Sequence, residues 1–304
     1  MSTFSYTVGF VGLGNMGQPM VRRLAAAGHR LHLYDIDHAR TEALAAEVQA
    51  TAAPSLAALG KATDVVITML PDGKTVRRVL LGGEGAADAI VPSLPADAIV
   101  IDMSSSSPVG TRALGKELAA RRIRLVDAPV SGGVRRARDG TLAIMLGGDP
   151  GIFECIEQVL APMGKTMLAG GLGAGHAIKA LNNYVSAAGL LAACEAVRAG
   201  ARFGLDPDTI VDIINASTGV NNSTQNKMKP FVISGTYADG FGLALMAKDL
   251  RTALEVAEAS GTPTALAPTL VRIWEEAERS LGARDDPGIN HTAIDRYLGM
   301  LDTR

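Results

Sequence analysis

Three groups of residues in this chain have the types and spacings that bind or transform small anions. Lys179, Asn182 and Asn183 stand three and four residues apart, which puts them on one face of a helix. An ammonium and two amides on one stripe are costly to bury without a purpose, whereas on a solvated face they cost nothing, and spacing alone leaves both readings open. Asp127-Ala-Pro-Val-Ser131-Gly132-Gly133 couples a hydroxyl to two successive glycine N–H groups, a nest suited to a carboxylate, although an ordinary glycine turn has the same composition. Gly9-Phe-Val-Gly12-Leu13-Gly14-Asn15-Met16-Gly17 carries the spacing G-x-G-x-x-G, in which backbone N–H groups can face a phosphate.

The elements around the glycines decide how that third group is read. From Tyr6 to Val11 the chain alternates aromatic and β-branched residues as a buried strand does, and Met20, Leu24 and Ala27 recur at helical spacing. The glycines therefore fall at a strand-to-helix turn. Gly12 permits the turn, Gly14 lets a pyrophosphate approach, and Gly17 lets helix pack on strand, with the positive end of the helix dipole facing the anion. A chain with 34 glycines produces such spacings by chance, so the context carries the argument. Gly28 reads as a helix C-cap, and Arg30 to Ile36 as a second strand that brings Asp35 about twenty residues past the glycines, where a carboxylate meets ribose hydroxyls. A carboxylate there repels a 2′-phosphate, so the expected cofactor is NAD rather than NADP. His38 and Arg40 follow, either softening that preference or lying solvated on the loop.

Further along, β-rich runs at 64–70, 98–104, 124–130 and 141–148 alternate with helical segments. The fold class is therefore α/β, a Rossmann-type doubly wound and mainly parallel sheet whose ligands lie beyond the strand carboxyl ends. One strand runs into Leu70-Pro71-Asp72-Gly73, where proline stops the ladder, either as a plain turn or to lay backbone against a ligand. Another ends in Ser104-Ser105-Ser106-Ser107-Pro108, at least one of which caps the following helix, and position alone puts Ser105 by the cofactor. Arg135, Arg136 and Arg138 would spread over more than one helix face, as solvated surface or as contacts to an anionic substrate. His176 to Phe203 has no proline and reads as one long helix ended by Gly204. It joins an expected NAD-binding domain at 1–166 to an all-helical domain at 167–304, whose later helices fall near 207–216, 224–233, 243–260, 264–282 and 291–299. Lys248-Asp249 interrupts an apolar run there, and an ion pair between neighbouring helices accounts for it as readily as a ligand does.

Composition removes several classes of function. The chain has 304 residues, 47% hydrophobic and only 4% aromatic, enough for two domains packed by Ala, Leu, Val and Gly. A formal charge of −2 with scattered arginines gives no field for nucleic acid. Cys155 and Cys194 lack metal-ligand spacing and read as reduced thiols, and no metal site is expected. No uncharged apolar run reaches membrane-spanning length and no charged-then-apolar leader precedes the first strand, so cytoplasmic residence is the expectation.

With these segments assembled, the chain resembles the β-hydroxyacid dehydrogenases, the family of 3-hydroxyisobutyrate dehydrogenase and tartronate semialdehyde reductase. The resemblance covers essentially the whole chain: Gly9–Gly17 looks like the family's cofactor signature, Asp127–Gly133 like its substrate segment, and Gly173-Ala-Gly-His-Ala-Ile-Lys179-Ala-Leu-Asn-Asn183 like its catalytic segment. It implies Lys179 as acid/base, Asn183 with its neighbour Asn182 on the substrate, and Ser131, Gly132 and Gly133 on the substrate carboxylate. It also implies Leu70, Pro71, Ser105 and Lys248 on the cofactor side, and a homodimer or homotetramer through the helical domain. The expected reaction is NAD-dependent interconversion of a small 3-hydroxy carboxylate and its semialdehyde. Rivals are a reductase of tartronate semialdehyde or a more anionic relative, a reductase of other carbonyls or imines, a 6-phosphogluconate dehydrogenase, and a non-catalytic NADH-binding protein. Ser105 stands where many relatives have threonine. Val134-Arg135-Arg136 and the polar stretch Ser217 to Asn226 also depart from the branched-chain-acid enzymes, which points to a more hydroxylated or anionic substrate.

Overall fold

The structure, a computed structural model, describes residues 6–83 and 88–301. The chain divides into two compact units, Met1–Lys179 and Ala180–Arg304.

In the first unit, β1 (Thr7–Val11), β2 (Arg30–Tyr34), β3 (Thr51–Ala52), β4 (Val65–Thr68), β5 (Ile99–Asp102) and β6 (Arg124–Asp127) pair in parallel in the order β3-β2-β1-β4-β5-β6. The order reverses at β1, and in open α/β sheets ligands lie at the carboxyl ends beside that switch. Helices α1 (Gly17–Ala26), α2 (His38–Val48), α3 (Leu56–Lys61), α4 (Gly73–Leu81) and α5 (Pro108–Ala119) form the crossovers. Alternation within the strands sends Ile67, Ile99 and Ile101 into one apolar layer with Phe10, Met20 and Leu24. Val66 and Val100 point to the other, with Leu59, Leu80 and Leu118. Both faces are covered, which is why these strands read as nearly continuous apolar runs.

Beyond β6 the sheet changes direction. The short β7 (Val130–Ser131) leads into α6 (Gly133–Asp139), and β8 (Leu142–Gly147) returns antiparallel to both β6 and β7. After α7 (Phe153–Leu160), β9 (Gly164–Gly170) joins β8 in parallel. The boundary expected at 166 therefore falls inside a strand. β9 is mostly exposed and carries a glycine at each end, so neither alternation nor β-propensity marks it, and what holds it is its ladder to β8.

The second unit is helical, as its periodicity predicts. α8 (Ala174–Arg202) begins in the first unit and continues into the second, followed by α9 (Pro207–Asn215), α10 (Asn222–Asn226), α11 (Leu243–Ala259), α12 (Ala267–Leu281) and α13 (Ile294–Leu301). Met228–Ile233, expected as ordinary helix, is wound wider, and it contains Pro230, which has no N–H to give. The core gathers Leu190, Cys194, Val197, Leu243, Met246, Leu250, Leu270, Ile294 and Leu298 around the fully buried Trp274. Among the described residues, no helix is long and apolar enough to cross a membrane.

Candidate active site

The three glycines of the first turn are required for different reasons. Gly12 has φ +99°, and a Cβ there would fall on the Met69 carbonyl oxygen, while a Cβ on Gly17 would overlap that of Gly12. Both are fixed by the packing of β1, β4 and α1. At Gly14, by contrast, a Cβ would meet nothing within 4 Å. The fold leaves that position free, and no side chain caps α1, so the space above Gly14 fits a pyrophosphate facing the start of the helix. Asn15 is exposed beside it and Met16 is half-buried.

Asp35 follows the end of β2 and is buried. Its Oδ2 accepts from the Leu13 N–H at 2.6 Å and its Oδ1 from the Asp37 N–H at 2.9 Å, so the carboxylate ties the glycine turn to the second strand. Arg40 is not simply solvated, for it lies 3.2 Å from Asp35 Oδ1 and 3.0 Å from Asp37 Oδ2.

At the next strand ends, the Leu70 N–H donates to Ser104 Oγ at 2.9 Å, Asp72 caps α4 through the Thr75 N–H at 2.8 Å, and Pro71 is exposed. The serine run divides its work. Ser104 holds Leu70, Ser106 bonds Asp102 at 2.7 Å, Ser107 caps α5, and Ser105 remains half-buried. Ser131 ends β7, and Gly132 and Gly133 follow with φ of +131° and +67°, a turn that glycine alone adopts without strain.

The arginine cluster resolves into three fates. Arg135 projects into solvent 4.0 Å from Asp139. Arg138 joins Asn15, Gln18 and Arg22 around a shallow pocket beside the glycine turn. The stem of Arg136 folds back over Gly132, occupying the place where a Cβ would stand.

On α8, Lys179 and Asn183 are one turn apart and 8% and 6% exposed. Asn182 does not share that burial. It lies on the surface and donates to Asn183 Oδ1 at 3.1 Å, so only one of the two amides meets the burial argument. In the second unit, the Asn183 amide donates to Asp249 Oδ2 at 2.6 Å, and Lys248 lies 3.4 Å from Asp249 Oδ1. The pairing of Lys248 is thus with its chain neighbour. The polar stretch 217–226 is largely satisfied locally: Asn221 caps α10 by accepting from Ser223 N and Thr224 N, and Ser223 and Thr224 are buried.

Two polar groups carried no role in the sequence reading. One is the buried set Asp102, Asp127 and His176 below the strand ends of the first unit. The other, in the second unit, links Lys227 Nζ to His291 Nε2 at 2.9 Å and His291 Nδ1 to Asp239 Oδ2 at 2.9 Å. Asp127 and His176 lie inside the stretches 127–133 and 173–183, whose spacing points instead to Ser131 and Lys179. Among the described residues, no group of His, Cys, Asp and Glu could hold a metal ion.

A parallel sheet reversing at β1, a glycine turn open above Gly14 and a buried acid after β2 define a dinucleotide-binding oxidoreductase domain. Residues 7–203 match the family model described as the NAD binding domain of 6-phosphogluconate dehydrogenase, and 173–295 match that of the NAD-binding region of NADP-dependent 3-hydroxyisobutyrate dehydrogenase. The chain is 36% identical over 284 residues to 2-(hydroxymethyl)glutarate dehydrogenase of Eubacterium barkeri, covering 93% of this chain and 92% of that one. It is 37% identical over 286 residues to the mitochondrial 3-hydroxyisobutyrate dehydrogenase of Drosophila melanogaster, covering 91% and 86%. The solved structure of Mycobacterium tuberculosis 3-hydroxyisobutyrate dehydrogenase with L-serine superposes with a TM-score of 0.85 at 31% identity, over 97% of this chain and 99% of that one. The chain belongs to the β-hydroxyacid dehydrogenases and is an NAD(P)-dependent dehydrogenase of a hydroxy acid.

Proposed function

We propose that the chain oxidises a small 3-hydroxy carboxylate of the 3-hydroxyisobutyrate type to its semialdehyde, and runs the reverse reduction, with Lys179 as acid/base. The observation that carries this reading is the burial of Lys179 and Asn183 one turn apart on α8. Bound at the glycine turn, the dinucleotide supplies the hydride chemistry. Lys179 takes the proton from the substrate hydroxyl in oxidation and returns it to the forming alkoxide in reduction. Asn183, its amide oriented by Asp249, holds that oxygen with help from Asn182, and Ser131 with the N–H groups of Gly132 and Gly133 holds the carboxylate. Leu70, Pro71, Ser105 and Lys248 serve the cofactor side, as do Leu13, Asn15 and Met16 between the glycines. Lys179→Ala should lower kcat at least a thousandfold with NADH affinity within threefold, and retained turnover would refute the role.

Preference for NAD over NADP belongs to the same reading, supported by the Asp35 carboxylate. Comparing kcat/KM for the two cofactors tests it, and a clear NADP preference would overturn it. A second reading, a substrate more anionic than tartronate semialdehyde that carries a second carboxylate, is favoured by the Arg136 stem lying over Gly132. Arg136→Ala should then raise KM for diacids more than for monoacids, and equal effects return Arg136 to the surface. Assembly into a dimer or tetramer through the helical unit is supported by the exposed Phe203, Leu205 and Ile213, and a monomer in sedimentation would refute it. Cytoplasmic residence is supported by the free thiols of Cys155 and Cys194, and cell fractionation checks it.

A further inference from the structure

The motif-bearing segments of the first unit meet below the surface at one cluster of buried polar groups. Asp102 ends β5, Asp127 ends β6 and His176 lies in the first turn of α8, exposed by only 2%, 0% and 1%. Ionisable groups at that depth are costly unless paired and hydrogen-bonded, so their partners define what they do.

Asp127 accepts from the Gly173 N–H at 2.7 Å with Oδ1 and from the His176 N–H at 2.8 Å with Oδ2. Both donors belong to the start of α8, so the carboxylate acts as a cap brought in from another strand. Glycines make the approach possible. A Cβ on Gly147 would stand 2.7 Å from Asp127 Oδ1, one on Gly175 would stand 2.9 Å from Oδ2, and Gly173 turns at φ +87°. The pattern Gly173-x-Gly175-His176 is the imprint of a helix lowered onto an acid.

The His176 ring carries the connection onward. Nε2 lies 3.0 Å from the Ser104 carbonyl oxygen and Nδ1 2.8 Å from Thr111 Oγ1, while that hydroxyl also lies 2.9 Å from the Ser107 carbonyl. A carbonyl only accepts, so Nε2 bears hydrogen and donates to Ser104, while Nδ1 meets the Thr111 hydroxyl. The ring stands between Asp102 Oδ2 at 3.7 Å and Asp127 Oδ2 at 3.8 Å. Asp102 in turn accepts from Thr68 Oγ1, Ser106 Oγ and Ser104 N, and Ser104 Oγ holds the Leu70 N–H.

We propose that Asp127 and His176 are positioning residues that set the first turn of α8, and with it Lys179 three residues on, against the Ser131 and Ser104–Ser105 segments. Asp127 bonds the start of the helix directly, and both residues act on the chemistry through it. The proposal rests on reading Lys179 as the acid/base.

Asp127→Asn tests it, because one α8 N–H then faces an amide donor in a side chain of the same shape. The expected result is a ten- to hundredfold fall in kcat with KM moved less than threefold. The NADH dissociation constant, measured by fluorescence without substrate, should also move less than threefold, since neither the glycine turn nor Asp35 bonds to the cluster. A kcat within twofold of the parent overturns the proposal, as does a parallel loss of kcat and NADH affinity, the sign of general disruption. Should Asp127→Asn fail to fold, Thr111→Val removes the Nδ1 partner at equal size. It should cost three- to tenfold in kcat at unchanged NADH affinity, and parental kcat would overturn the role of His176. Nitrogen-15 NMR of labelled histidine should show His176 Nε2 protonated, and a bare Nε2 overturns the hold of the ring on the Ser104 carbonyl. If Lys179→Ala keeps turnover, the acid/base reading itself has failed; if it abolishes turnover while Asp127→Asn does not, the positioning proposal alone has failed.

Discussion

The glycine turn of the first unit and the Asn183–Asp249–Lys248 group of the second are both polar sites, but they are built by different means. The turn is made of backbone: a strand end, a helix start and glycines whose missing side chains leave room. The helical group is made of side chains brought together from 66 residues apart, with Asp249 the shared acceptor of an amide and an ammonium. A site of the first kind is harmed by adding one atom in the wrong place. A site of the second kind is harmed by removing one.

The largest expected effect breaks the first region. A Cβ on Gly17 would overlap the Gly12 carbonyl oxygen, and backbone cannot swing aside as a flexible side chain can. Gly17→Ala should therefore cost about 3 kcal/mol or more of stability and weaken NADH at least a hundredfold, measured by denaturant titration and fluorescence. Gly14→Ala separates ligand from fold, since its Cβ meets nothing within 4 Å. It should melt within about 2 °C of the parent yet bind NADH at least tenfold more weakly. Parental affinity would mean that the space above Gly14 is not where the pyrophosphate lies.

This contrast also explains what could be read in advance. Backbone-built sites leave short, ordered strings, so Gly12, Gly14, Gly17, Asp35, Ser131, Gly132 and Gly133 stand out before any coordinates. Lys179 and Asn183 share one helix, so periodicity paired them. Asp249 did not stand out as the partner of Asn183, because no local pattern records a contact between residues so far apart. The same holds for Asp127 beneath Gly173 and His176, 46 and 49 residues away. Asn182 was drawn in by its spacing, but at i+3 it stands on the exposed flank of the stripe. β9 was missed because an exposed edge strand bounded by glycines looks like loop.

Within the helical unit, the next effect comes from Trp274, fully buried and the chain's single tryptophan. Trp274→Ala should cost about 3–5 kcal/mol, read by denaturant titration followed by circular dichroism. NADH affinity at temperatures where the variant stays folded should remain within threefold, because none of the glycine-turn residues belongs to this core. Loss of NADH binding by the folded variant would break the division between the two regions. A smaller effect follows from Asp249→Ala, which leaves the buried Asn183 amide without its acceptor. The expected loss is about 1–3 kcal/mol together with a fall in kcat at unchanged NADH affinity. Parental kcat would show that Asn183 needs no such orientation.

The smallest effect is a matter of pH, and it sharpens the side-chain half of the comparison. Burial pulls the Lys227 ammonium below its ordinary range, while Asp239, reached through His291, works in the opposite direction without prevailing. With a lowered folded value, the unfolded chain holds more protons between that value and the ordinary lysine range near 10.5. Stability contributed by this group is therefore poorest below the folded value and rises with pH across that window. Lys227→Met, which keeps length and removes the charge, should flatten the rise relative to the parent, with the difference in unfolding free energy between the two proteins shrinking as pH approaches the ordinary lysine range. Thermal melts of both proteins at matched pH values read this directly. A difference that grows with pH would mean that the bonds of Lys227 Nζ to His291 Nε2 and, at 3.5 Å, to Ser186 Oγ outweigh the cost of burial.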